Sequence, residues 1–184
     1  MQGKIFESLA LYKRLLEINP NDWEACFQVA IMFESYDQSL ALQFYEKGLQ
    51  KCQAVPPEVL NNVGVLRLEA FEQQGDKQLK SSSLLALQQA LRETDEKLHR
   101  QRTSKMEALR TSILFNLGYW HEINFQLDQA NALYKQVIHE QPDYFDAYLR
   151  ASCLARGRGD MPRALHWIEE SLKCKLKSPY NQLC

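Results

Sequence analysis

The first residues that could do chemistry are His121 and Glu122. A His-Glu pair on a helix opens H-E-x-x-H, in which two histidines four residues apart hold zinc on one face. Here the second ligand position is Phe125, so zinc cannot be held that way. His99, His139 and His166 have no cysteine at ligand spacing. Cys26, Cys52, Cys153, Cys174 and Cys184 are odd in number and form no C-x-x-C. They read as reduced thiols of the cytosol or nucleus rather than as a disulfide framework. Glu169 and Glu170 are adjacent and point in different directions on a helix, which reads as a solvated face. Gly157-x-Gly159 is a turn signal, and no Gly-rich phosphate loop or G-x-S-x-G is present. The expectation is a non-enzymatic chain with no catalytic, metal or cofactor site.

Composition narrows the partners. The chain has 184 residues, 45% hydrophobic and 24% charged, with a formal net charge of -1. That is a globular composition with no general attraction to nucleic acid or an acidic membrane. Basic residues cluster twice, at Lys97, Arg100, Arg102, Lys105 and Arg110, and at Arg150, Arg156, Arg158 and Arg163. The first run has no interleaved aromatics, so direct nucleic-acid contact is not expected. The N-terminus has no long apolar region and no apolar run reaches 18 residues, so neither a signal peptide nor a membrane span is read.

The elements that position these residues are helical hairpins. Thr111 to Pro142 carries Leu114-x2-Leu117-Gly118-x2-His121, then Ala130-x3-Tyr134, then Pro142. This is close to the tetratricopeptide pattern W-x2-L-G-x2-Y…A-x3-F…P. His121 stands where the pattern has tyrosine, so it reads as a packing residue. A copy follows 34 residues on, with Tyr148, Ser152, Ala164 and Ile168 in phase. Upstream, Cys26, Val29 and Ala30 map to Leu60, Val63 and Gly64 at the same interval. Gly64 and Gly118 are 54 residues apart, so that repeat carries about 20 extra residues.

The predicted fold is an all-α tetratricopeptide-repeat superhelix (α-solenoid), about four repeats plus an N-terminal half repeat. The predicted divisions are 1–20, the second helix of a partial repeat; 21–54, a repeat; and 55–110, a repeat with charged insertions. Two further repeats, 111–142 and 143–178, and a tail, 179–184, complete it. A chain that starts mid-repeat is expected to be a piece of a longer solenoid. Residues 76–83 read as a polar insertion, and Leu84–Ser104 as one long helix supported by Glu93–Lys97 and Glu96–Arg100 pairs.

In such superhelices the first helix of each repeat lines a groove that binds protein segments. The phases place Phe27 and Ile31, Asn61 and Val65, Phe115 and Tyr119, and Leu149 and Cys153 on that face. Gln28, Asn62, Asn116 and Arg150 run one step beside it. Apolar residues with an amide edge suit a helical or extended partner segment, the amides satisfying its backbone.

Two segments are more specific. Pro56–Gly64 reads PPEVLNNVG, and Phe115–Ala151 reads FNLGYWHEINFQLDQANALYKQVIHEQPDYFDAYLRA. Both resemble the large tetratricopeptide scaffold subunit of the RNA polymerase II-associated factor (PAF) complex. That family has a similar PPE helix, an over-long charged connection and a YNLAR-like helix. The resemblance covers roughly Pro56 to Lys173. It implies a nuclear scaffold that supports transcription elongation and co-transcriptional histone modification by holding other factors. A generic chaperone or ubiquitin-ligase adaptor is an alternative. Another is the substrate-recruiting arm of a nucleocytoplasmic sugar transferase, whose asparagine ladder Asn62 and Asn116 would fit and Gln28 and Arg150 would break.

Overall fold

The structure is a computed structural model that describes residues 2–177. The tail 179–184, read above as a separate segment, falls outside them. The described residues form α1 (Gln2–Ile18), α2 (Trp23–Phe33), α3 (Gln38–Leu49), α4 (Pro57–Gln74), α5 (Lys77–Arg100), α6 (Ser104–Ile123), α7 (Leu127–Glu140), α8 (Phe145–Gly157) and α9 (Met161–Lys177). None is long and apolar enough to cross a membrane. The chain divides into two compact units, after Ala90 and within α5.

In the first unit the helix starts follow from side-chain chemistry. Asp22 and Asp37 each accept a hydrogen bond, at 2.9 Å, from the backbone N–H three residues on. This satisfies donors that the first turn of a helix leaves open. Pro57 opens α4, where its missing N–H costs nothing, and Gly75 ends it at φ 73°. α2, α3 and α4 enclose Phe27, Ala30, Ala41, Tyr45, Val59, Val63 and Leu66. Leu16 of α1 joins Ala25, Cys26 and Val29 of α2 in a second cluster. Each fully buried Val or Leu contributes about 1.5–3 kcal/mol relative to exposure.

The polar stretch 76–83 is not an insertion between helices. α5 starts at Lys77, with Asp76 accepting from the Gln78 N–H at 2.8 Å. Ser81 and Ser82 turn their hydroxyls back onto carbonyls of the preceding turn, at 3.1 Å each. Ser83 is fully buried and donates to the Gly64 carbonyl at 2.7 Å. Hydroxyls that can bond within a helix or across a close crossing hide a helical stretch from a reading based on polarity.

In the second unit α5 stops at Arg100, short of the expected Ser104. Thr103 accepts from the Met106 N–H at 3.3 Å and opens α6 there, so the start of the expected 111–142 hairpin lies two turns earlier. The charged stretch between them is held by ion pairs. Arg110 meets Asp95 at 2.6 Å and both oxygens of Glu140 at 2.5 Å, tying α5 and α7 to α6. Burial pushes Glu140 up, but hydrogen bonds from Arg110 and Gln136 and the charge of Arg110 hold it below the usual carboxylate range. Arg102 pairs with Glu107. These groups line a cleft of about 730 Å³ with Leu98, His99 and Thr111. The core behind them contains Leu114, Val137 and Ala147, and then Ala130, Tyr134 and Leu154.

Candidate partner-binding faces

Each unit has a candidate face, and each is built around one carboxylate at the end of a first helix. In the first unit Glu34 follows the last turn of α2. It accepts from the Tyr45 hydroxyl of α3 at 2.5 Å and from the Asn62 amide of α4 at 2.8 Å. Asn62 also donates to the Tyr45 oxygen at 3.2 Å. In the second unit Glu122 of α6 accepts from the Tyr134 hydroxyl of α7 at 2.7 Å and from Arg150 of α8 at 3.2 Å. The Arg150 guanidinium also lies over the Tyr119 ring, 4.5 Å from its centre. One carboxylate thus staples three consecutive helices in each unit. The cross-helix donor is an amide in one and a cation in the other.

The phenols are locked in their neutral form. Tyr45 and Tyr134 are 0% exposed. Burial, and then the hydrogen bond each donates to its carboxylate, holds both well above the ordinary phenol value. A folded value raised above the unfolded one gives stability that is present below about pH 10 and lost as pH rises above it. Tyr134→Phe is therefore expected to flatten the alkaline loss of stability between about pH 9 and 11, read by denaturant melts across that range. An unchanged alkaline slope would show that Tyr134 does not contribute to it.

Of the ten residues placed on these faces by sequence, two are withdrawn into the core. Phe27 is 4% exposed, in edge contact with Trp23 and tilted against Tyr45. It reaches that position because Gly48 of α3 leaves room: a Cβ there would stand 2.5 Å from the Phe27 ring. Asn61 is 8% exposed and donates to the Asn62 side chain at 3.3 Å. Neither offers a surface to a partner. Ile31 is 45% exposed, and Val65 and Asn62 are half-buried. In the second unit Leu149 and Cys153 are exposed, and Asn116 and Tyr119 are half-buried. Phe115 is half-buried and leans on Tyr134 and Tyr144, with ring centres at 5.5 and 5.2 Å.

The faces differ in charge. On the first, one oxygen of Glu69 is buried without a hydrogen-bond partner. Burial, with the charges of Glu72 and Glu34, raises its carboxyl. That one Glu69 oxygen is the acid oxygen here that lacks a donor. On the second, the half-exposed Arg150 faces an acid already in place. Two of the five residues of the first basic cluster read from sequence and three of the four of the second are in ion pairs. Arg102 and Arg110 are paired as above, and Arg150, Arg158 and Arg163 meet Glu122, Asp128 and Asp160 at 3.2, 2.8 and 3.3 Å. His121 is half-buried, with its ring nitrogen 2.6 Å from Gln126 Oε1. Among the described residues no group of three or more His, Cys, Asp or Glu could hold a metal ion.

Sequence reasoning passed over Glu34 and weighed Glu122 only as part of a zinc motif, although these acids are the centres of both staples. A signal was available: each acid lies 28 residues before the donor on the next first helix, Asn62 or Arg150.

No family model matches the chain. Among curated proteins it is 26% identical over 172 residues to RNA polymerase-associated protein CTR9 of Caenorhabditis elegans, covering 90% of this chain and 15% of that protein. It is 25% identical over 209 residues to Protein CTR9 homolog of Arabidopsis thaliana, covering 96% of this chain and 18% of that one. The chain therefore spans less than a fifth of the curated relatives it matches. Among solved structures, MamA from Desulfovibrio magneticus RS-1 aligns at TM-score 0.75 and 13% identity, over 97% of this chain and 89% of that one. YrrB, described as a TPR protein with an unusual peptide-binding site, aligns at TM-score 0.68 and 17% identity, over 95% and 80%. The molecule is an all-α tetratricopeptide-repeat chain whose sequence is similar, over nine-tenths of its length or more, to the CTR9 proteins.

Proposed function

We propose that this chain is a section of a non-enzymatic, nuclear scaffold that holds RNA polymerase II-associated factors together. In that role it supports transcription elongation and co-transcriptional histone modification. The observation that carries the reading is the similarity to CTR9 proteins of an animal and a plant along nearly the whole chain. The two faces support it. Each combines exposed or half-buried apolar side chains with polar groups fixed by a staple: Ile31 and Val65 with Asn62, and Leu149, Cys153 and Tyr119 with Arg150. Such a face receives a helical or extended protein segment, with apolar contacts giving affinity and the fixed polar groups giving register.

Affinity purification of the full-length protein from its own cells, followed by mass spectrometry, tests this. Co-purification of RNA polymerase II-associated factors is the expected result. Recovery of chaperones or ubiquitin-ligase subunits in their place would make the chain a generic adaptor. A catalytic domain continuous with the chain would make it the recruiting arm of an enzyme.

A further inference from the structure

Phe125 is the residue least at home in its position. α6 and α8 end in the same hydrogen-bonded motif. After α8, the Asp160 N–H bonds to the Ala155 carbonyl and the Gly159 N–H to Arg156, both at 3.0 Å. After α6, the Gln126 N–H bonds to the His121 carbonyl at 2.9 Å and the Phe125 N–H to Glu122 at 3.0 Å. Such an ending requires one residue in the left-handed conformation, and glycine is its usual occupant because it has no Cβ to clash. The α8 ending has Gly159 there, at φ 77°. The α6 ending, in the same register, has Phe125 at φ 58°, the one non-glycine residue with positive φ among those described.

The Phe125 ring gains nothing from the fold in return. It is 89% exposed, the most exposed of the large hydrophobic residues described. The α2–α3 turn shows that an exposed aromatic does not need this backbone: Tyr36 is 66% exposed with no positive φ. A bulky residue that is strained by its backbone and also unpacked has a reason outside the chain. The strained turn holds the ring outward on a short, hydrogen-bonded connection, so little freedom is lost when a partner takes it.

We propose that Phe125 is an anchor residue that inserts into an apolar pocket of a partner protein, distinct from the faces around the two staples. The charge around it favours a protein over a nucleic acid. From Thr111 to Tyr134 the sequence has Glu122 and Asp128 and no Lys or Arg, and the Asp128 side chain is 95% exposed. Asp128 is already paired with Arg158 at 2.8 Å, so a base stacked on Phe125 would find no free cation there to receive its phosphates. A protein pocket one phenyl ring wide takes the ring without needing one.

The test uses the full-length protein in its own cells, with p-benzoylphenylalanine at position 125 and, as control, at the exposed Lys135. The expected result is a protein adduct at 125, absent at 135, whose cross-linked residues line an apolar pocket. That partner, identified by mass spectrometry and purified, is then titrated with wild type and with Phe125→Gly. Binding is expected to weaken by about tenfold or more in the variant. Its Tm is expected to hold or to rise by about 2–4 °C, because glycine relieves the turn. A fall in Tm would place the role of Phe125 inside the fold and overturn the proposal. So would a nucleic-acid adduct, no adduct above the Lys135 control, or equal affinity of the two proteins.

Discussion

Tyr134→Ala is expected to destabilise the protein by about 4 kcal/mol, lowering Tm by roughly 8–16 °C. Tyr134 is fully buried between Ala130 and Leu154, and its ring supports Phe115. Truncation removes a large apolar area and leaves a cavity that its neighbours fill only in part. It also takes the phenolic donor from Glu122, whose side chain is only 18% exposed, leaving Arg150 as the remaining partner in the staple. Tyr134→Phe separates the two losses. It keeps the ring and drops the hydrogen bond, at a cost of about 1.5–3 kcal/mol for a bond to a charged acceptor. Chemical denaturation of both variants reads the difference. If Tyr134→Phe costs as much as Tyr134→Ala, the ring is not what holds α6, α7 and α8 together.

Gly118→Leu is expected to cost about 2–3 kcal/mol by overpacking. A Cβ on Gly118 would lie 2.7 Å from Cε1 of Tyr134, closer than real Cβ atoms come to anything. The neighbour is the face of a buried, hydrogen-bonded ring, so it cannot swing aside as a flexible chain end could. The two substitutions meet in the same space, so their effects should not add. In the Tyr134→Ala background the introduced leucine side chain has the vacated ring volume to enter. Gly118→Leu should then cost under about 1 kcal/mol, a coupling well outside the additivity of independent sites. A double-mutant cycle by urea melts measures this. Additive costs would mean that the helix crossing does not bring these two residues together.

Gly118 and Tyr134 also show what was legible in the sequence. Their spacing, with Leu114, Leu117, Ala130 and Pro142, is a packing requirement, and packing repeats with the fold. Hence the hairpins at α2–α3, α6–α7 and α8–α9 could be read before any coordinates. Residues 77–83 could not be read correctly, because a serine on a helix looks the same in sequence as a serine in a loop. Only the bond from Ser83 to the Gly64 carbonyl distinguishes them. The faces were legible in part. Helical phase assigns a residue to a side, but the length of a side chain and the space opposite decide where it ends. Phe27 turned inward because Gly48 made room for it. The staples were missed for a different reason: they join residues far apart in sequence through hydrogen bonds, to which hydrophobic period is blind.

The staples have a consequence for where this chain can change length. Glu34 and Asn62 are 28 residues apart, and so are Glu122 and Arg150. One residue added inside α3 before Tyr45, or inside α7 before Tyr134, would turn the phenol about 100° around its helix, away from the acid. The stretch from Asn62 to Glu122 lies outside both sets. The surplus of the 54-residue interval between Gly64 and Gly118 falls there, in the long α5 and the early start of α6. Insertions should therefore be tolerated in the link 101–103 between α5 and α6 and rejected inside α3 before Tyr45 or inside α7 before Tyr134. Each staple thus acts as a ruler on the helices that hold it.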